Sequence, residues 1–299
     1  MRIGDLDPEL QRVVKEVPAV DFRDITAARA ATTSGPEPLS ANVVVSNASA
    51  DFDGHTVGVR ITGSRRVTSG PLPIVVEMHG GGFALGSAAS NDAGNAGLAA
   101  ALQCVVVAVD YRLAPEFPYP AAVHDCVTAV RWAVNAADSI GGDPGRIGLL
   151  GTIAGACLAA CTALELRDSD GPRLAMQALI EPALDDRADS PSMKQGVDAV
   201  FWNTGNAVLS WQHYLGGLVA DEHTSPARRQ DLESLPPTYI TVNELDPYAI
   251  RVSTTPADFW QQVTEPNSIA GLAHSTDSPC STRRCLVAPG QAMSPRWIV

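Results

Sequence analysis

Three short stretches of this chain carry residues whose types and spacing could do chemistry. MHGGGF, residues 78–83, follows a run of valines and places three glycines in succession. Such a triplet lets the backbone turn sharply and present unblocked N–H groups to a ligand oxygen; it also serves as a plain flexible turn. RIGLLGTIAGACLAA, residues 146–160, reads as strand, tight turn and helix, with small residues at 151, 154, 155 and 156. This is the layout of the G-x-S-x-G nucleophile elbow, where a strained turn aims its central side chain into a pocket. Gly151 and Gly155 flank the turn because a β-carbon there would clash with the neighbouring strand and helix. The central residue is Ile153. ELDPY, residues 244–248, ends a further strand-like run. Asp246, leaving the carboxyl end of a strand, is placed to orient a histidine, and it serves equally well as a helix cap before Pro247.

Positioning these stretches requires a scaffold, and the hydrophobic periodicity supplies one. PIVVEM (73–78) and CVVVAVD (104–110) are short valine-rich runs that suit buried parallel strands. NVVVSN and HTVGVRITG, with an Asp-Gly pair between them, predict a β-hairpin. RIGLLG, LAMQALIEP and TYITVNELDP predict three more strands. Helices are predicted for LDPELQRVVKEV, with Asp7 as cap and Pro8 in the first turn, for DITAARAA, and for NDAGNAGLAAAL. Two more are predicted: 121–137, with Val123, Val127, Val130 and Val134 on one face, and AGACLAACTALEL. Strands alternating with helices predict a mostly parallel, doubly wound α/β sheet. Residues 185–230, with Trp202, Trp211 and Tyr214, break the rhythm and read as an inserted helical segment. The last forty residues show little periodicity, and no clean closing strand and long helix is found there.

Composition narrows the function. The net charge of −12, with Lys only at positions 15 and 194, repels phosphate backbones and anionic lipid, so neither nucleic acid nor stable membrane insertion is expected. No apolar run approaches the length of a membrane span, and the N-terminal MRIGDLDPELQRVVKEV has acidic residues early and no apolar core of signal-peptide length, so export is not expected. The six cysteines form no Cys-x-x-Cys pair, and Cys157 and Cys161 read as buried reduced thiols rather than metal ligands. A reducing, cytoplasmic setting is expected.

HGGGF, VDYRLAPEFPYPAAVHDC (109–126), GDPGRIGLLGTIAGA (142–156) and LDP (245–247) stand in this order and at this spacing. Together they resemble the hormone-sensitive-lipase family of α/β-hydrolases, carboxylesterases that favour short and medium acyl esters. The resemblance covers roughly residues 5–250. It implies the α/β-hydrolase fold: residues 1–45 as the N-terminal part of a helical cap, and 46–299 as the hydrolase domain. A cap insertion falls at about 190–225 and an atypical stretch at 250–299. It implies Gly81, Gly82 and Ala154 as oxyanion-hole donors, Asp246 as the triad acid, and a structural role for His79. His274, the one histidine beyond Asp246, takes the place of the triad base. Neither metal nor organic cofactor is implied. The implied partner is a small ester or acyl ligand, and a homodimer built on the last sheet strands is common in the family.

Three departures from the family pattern bear on the chemistry, the first being YAIRVSTTPADFW (248–260), where the family continues into Leu-Arg-Asp-Glu and a long helix on the loop that carries acid and base. Ile153 stands where the family has its nucleophilic serine, and Glu181 where a tyrosine is common. Thr152 should point away from the site, and Cys157 should lie inside the helix packing, so neither replaces the serine. The expected function is therefore a carboxylesterase-type protein with its chemistry disabled; the alternative is a non-catalytic small-ligand-binding member of the same fold.

Overall fold

The computed structural model describes residues 20–32, 42–64, 70–199 and 202–243, positions 8, 9, 11, 12 and 39, and a strand at 282–287. In chain order the strands are β1 (Val43–Phe52), β2 (His55–Ser64), β3 (Leu72–Met78), β4 (Val105–Asp110), β5 (Gly142–Thr152), β6 (Met176–Ile180), β7 (Thr238–Asn243) and β8 (Thr282–Val287). The helices are α1 (Ile25–Thr32), α2 (Asp92–Leu102), α3 (Ala121–Asn135), α4 (Ala137–Ile140), α5 (Ala154–Asp168), α6 (Pro191–Gln195) and α7 (Thr204–Leu215).

All eight strands join one sheet in the order β1-β2-β4-β3-β5-β6-β7-β8. The run from β4 to β7 is parallel, as the βα alternation predicts. The predicted hairpin is β1–β2, and its turn at Asp53 and Gly54 has φ of 50° and 77°. That pair of positive φ values is what a tight hairpin turn needs, and Asp-Gly supplies it at low cost. In β4 the five residues Val105–Val109 are all buried, because a parallel strand in the sheet centre is covered on both faces. In β3, Ile74, Val76 and Met78 join the main core, while Val75 packs on the other side beneath α2. Helix α5 is buried from Ala154 through Leu164, and its alanines, Gly155 and cysteines let it lie close against the sheet.

The predicted insertion consists of α6, a short 3₁₀ turn, α7 and further turns. Described parts of the ranges 1–45 and 190–225 hold each other by specific hydrogen bonds. Asn206 on α7 accepts from the Phe22 N–H (3.1 Å) and donates to the Val20 carbonyl (2.7 Å). His213 Nε2 lies 2.9 Å from the Phe22 carbonyl oxygen. Arg29 on α1 donates to the carbonyls of Ala84 (2.9 Å) and Ala114 (3.0 Å), tying this segment to the loops after β3 and β4.

One sequence expectation is corrected. The tail sequence predicts no clean closing strand, yet Thr282–Val287 pairs antiparallel with β7, Thr238 opposite Val287 and Asn243 opposite Thr282. Its sequence, TRRCLV, puts two arginines side by side, which hides any alternation that would have marked it.

Candidate active site

The elbow lies between the end of β5 and the start of α5, with Ile153 at φ 54° and ψ −109°. Positive φ is unfavourable for a β-branched residue and costs on the order of 1–3 kcal/mol, so surrounding contacts must hold it. They are present: the Ile153 N–H donates to the Ile180 carbonyl (2.9 Å), and the Ile153 carbonyl accepts from Ala183 (3.1 Å). The flanking glycines are required sterically, as the sequence implied. A β-carbon at Gly151 would lie 2.3 Å from the Gly155 carbonyl oxygen, and one at Gly155 would lie 2.0 Å from that of Met78. The Ile153 side chain is half-buried and packs against the cluster of Ala183, Met193 and Ala207, on which Trp202 also packs.

The glycine loop abuts this turn. Gly81 has φ 126° and Gly82 φ 57°, and the Gly81 carbonyl accepts from Ala84 (3.1 Å) and Leu85 (2.9 Å). A β-carbon on Gly80 would lie 3.3 Å from the Thr152 carbonyl oxygen and 3.9 Å from the Ile153 β-carbon. The start of the loop, from Met78 to Gly80, is thus in direct contact with the elbow and the first turn of α5. Ala154 opens α5, where backbone N–H groups lack partners within the helix.

His79 is packed into the fold at the start of the glycine loop. Its ring is buried, stacks on Tyr111 at 4.2 Å and 13°, and has Nδ1 2.7 Å from the Gly80 carbonyl oxygen. The Tyr111 hydroxyl donates to the His79 carbonyl (2.8 Å). Burial pushes the imidazole pKa down, which favours its neutral form.

Asp246 and His274 lie outside the described residues; β7, which leads to Asp246, sits next to β6 in the parallel run. Cys157 is fully buried, its sulfur 4.0 Å from the Thr224 carbonyl oxygen, and Cys161 reaches the same oxygen at 3.9 Å. Both are free thiols, and burial raises the Cys157 pKa well above the ordinary value, which removes thiolate character. Glu181 follows β6 at φ 51°, half-buried, its N–H donating to Thr241 (3.0 Å).

Sequence reasoning missed two groups. Phe22, Met193 and Trp202 lie around the elbow and glycine loop; Trp202 stood out as an aromatic in an irregular segment, whereas Phe22 and Met193 carried no signal. The other group explains the motif at 109–126. Asp125, buried on α3, accepts from the Arg112 backbone N–H (2.7 Å) and guanidinium (2.9 Å) and lies 2.7 Å from His55 Nε2. The motif is therefore a structural clamp on the loop after β4. Among the described residues no group of three or more His, Cys, Asp or Glu could hold a metal ion, and no helix is long and apolar enough to cross a membrane.

A family model described as the alpha/beta hydrolase fold matches residues 75–259, more than half of the chain. Carboxylesterase NlhH of Mycobacterium tuberculosis is 35% identical over 256 residues, which span 81% of this chain and 79% of that protein. The chain belongs to the hormone-sensitive-lipase type of α/β-hydrolases. Esterase LipI of Mycobacterium tuberculosis is 34% identical over 251 residues, spanning 81% of this chain and 78% of that one. Among solved structures, a bacterial heroin esterase superposes with a TM-score of 0.76 at 38% identity, covering 83% of this chain and 82% of that chain. Esterase LipW from Mycobacterium marinum superposes with a TM-score of 0.74 at 36% identity, covering 84% and 81%. The chain thus has the family's fold and carboxylesterase relatives along most of its length.

Proposed function

We propose that this chain is a carboxylic-ester hydrolase scaffold for short to medium acyl esters, disabled by the isoleucine at its nucleophile position. One observation carries the reading: the elbow backbone and its two sterically required glycines are built around residue 153, whose side chain cannot attack a carbonyl. Losing the nucleophile costs on the order of 10⁶ in turnover, and the oxyanion hole and binding leave a residual of roughly 10³–10⁴ over water. The buried, protonated Cys157 offers no replacement.

The reading assigns a role to each remaining part. With serine restored at 153, its hydroxyl attacks the ester carbonyl while His274 takes the proton. Asp246 orients the imidazole and stabilises its charged form. The N–H groups of Gly81, Gly82 and Ala154 stabilise the tetrahedral oxyanion; the alcohol leaves with the proton from His274, and water then releases the acid. No step calls on a metal or organic cofactor.

The test is hydrolysis of p-nitrophenyl butyrate by the parent chain beside its Ile153→Ser variant. The expected result is a near-silent parent and a variant faster by about 10³-fold or more. If both are silent, the acid–base pair is not assembled and the chain is a small-ligand-binding member of the fold. A parent as fast as the variant overturns the assignment of residue 153.

A further inference from the structure

The glycine loop, residues 79–91, runs from the end of β3 into α2. Its middle is pinned by other segments: the Ala114 N–H donates to the Phe83 carbonyl (2.9 Å), and Arg29 donates to that of Ala84 (2.9 Å). Its two ends are tied to each other inside the protein. Glu77, next to the last residue of β3, meets Asn95 in the first turn of α2, and each residue is 1% exposed. The Asn95 amide donates to one Glu77 oxygen at 3.5 Å, and each side chain keeps a second, buried oxygen with no donor. One long bond and two orphaned acceptors make a weak tie. A proton on the carboxyl turns it into a donor, and the Asn95 amide has an oxygen to receive it.

Among the described residues, the groups around the carboxyl offer its charged form no counter-ion. Asp92, also in the first turn of α2, is itself negative and takes up the Arg60 guanidinium from β2 through two bonds of 2.6 Å. Beside Glu77 in the sheet stand Ala108 of β4 and Leu150 of β5. Asp110, which ends β4, accepts from the Ala88 N–H (2.9 Å), and burial favours the neutral form of His79. The Glu77 charge also reaches Tyr111 and, on α3, Cys126, both of which burial keeps protonated.

We propose that Glu77 and Asn95 form a proton-operated clasp across the ends of the glycine loop, closed while the carboxyl carries its proton and loosened when it ionises. With the middle of the loop pinned, the loosening falls on residues 86–102, the second half of the loop and α2. In the loosened form Glu77 meets water and takes its ordinary value of 4.5, whereas burial holds it at about 7 in the closed form. Closure is therefore strongest below 4.5, weakens about tenfold per pH unit from there to about 7, and is flat beyond. The loop that carries Gly81 and Gly82 is held most firmly in mild acid.

The test is amide hydrogen exchange of the whole chain and of its Glu77→Gln variant near pH 5 and near pH 8. It is read segment by segment by mass spectrometry and corrected for the chemical dependence of exchange on pH. In the parent, protection over 86–102 should fall by at least about tenfold at the higher pH, with these amides exchanging ahead of those in β4 and β5, which marks local opening. In the variant the same segment should hold its protection. Glu77→Met, equally without charge, should give the same flat result where Glu77→Gln does not fold. Unchanged protection in the parent, or an equal fall in the uncharged variant, overturns the proposal. So does exchange of 86–102 only in step with β4 and β5, since that reports unfolding of the whole sheet.

Discussion

Glu77 on β3 gives the sharpest stability prediction. Its carboxyl is 1% exposed and lies beneath α2, where Asn95 Nδ2 makes one long contact to it at 3.5 Å. Glu77 Oε1 and Asn95 Oδ1 are buried acceptors without a hydrogen-bond partner. A proton on Glu77 supplies the missing donor. Burial, reinforced by the nearby charge of Asp92, pushes the carboxyl pKa from 4.5 up to about 7, against the opposing hydrogen bonds of Asn95 and Asn91. Between those values the folded chain holds a proton that the unfolded chain has released. Stability from this group is fully present below 4.5 and falls as pH rises through about 7, after which it is flat. At about 1.4 kcal/mol per pKa unit, the loss is on the order of 3 kcal/mol. Glu77→Gln keeps the shape, stays neutral and brings its own donor. Urea denaturation of both proteins should give matching stabilities near pH 4.5, with the variant ahead by up to about 3 kcal/mol near pH 8. Other carboxylates titrate too, among them Glu116, held near 2 by Arg29, but they cancel in the difference between the two proteins. A stability difference that does not change with pH would refute the reasoning.

Two further outcomes follow from packing. Gly155→Ala forces a β-carbon against the Met78 carbonyl, a backbone atom that cannot swing aside, so the variant should lose about 3 kcal/mol in chemical denaturation; an unchanged midpoint would contradict the elbow geometry. Asp125→Ala strips the Arg112 and His55 contacts from a buried carboxylate. Because both partners keep one end in solvent, thermal and urea unfolding should report a loss of about 3 kcal/mol, the lower end for breaking a buried pair.

The sequence made some of this molecule legible and hid the rest, for physical reasons. The parallel centre was readable because β4 is buried on both faces, so its valines run without interruption. The elbow was readable because Gly151 and Gly155 are fixed by backbone contacts that allow no side chain. β8 was not, because as an edge strand it carries adjacent arginines with no alternation. Contacts between distant segments were invisible as well. Phe22 and Asn206 are 184 positions apart, and only folding shows that the amide of one side chain fixes the backbone of the other. The burial of Glu77 was equally hidden, since an acidic residue in a strand ordinarily faces water.

The hydrogen bonds at residue 153 have a consequence for the history of the chain. The turn is held by the Ile180 carbonyl, the Ala183 N–H and two neighbouring glycines, none of which depends on what the residue carries beyond its backbone. Shape and reactivity are thus encoded at separate positions. Isoleucine codons AUU and AUC become the serine codons AGU and AGC by a change of the middle base alone. A lineage can therefore fall silent at this site while its neighbours preserve the mould, and a single transversion returns a hydroxyl to a turn still shaped to receive it.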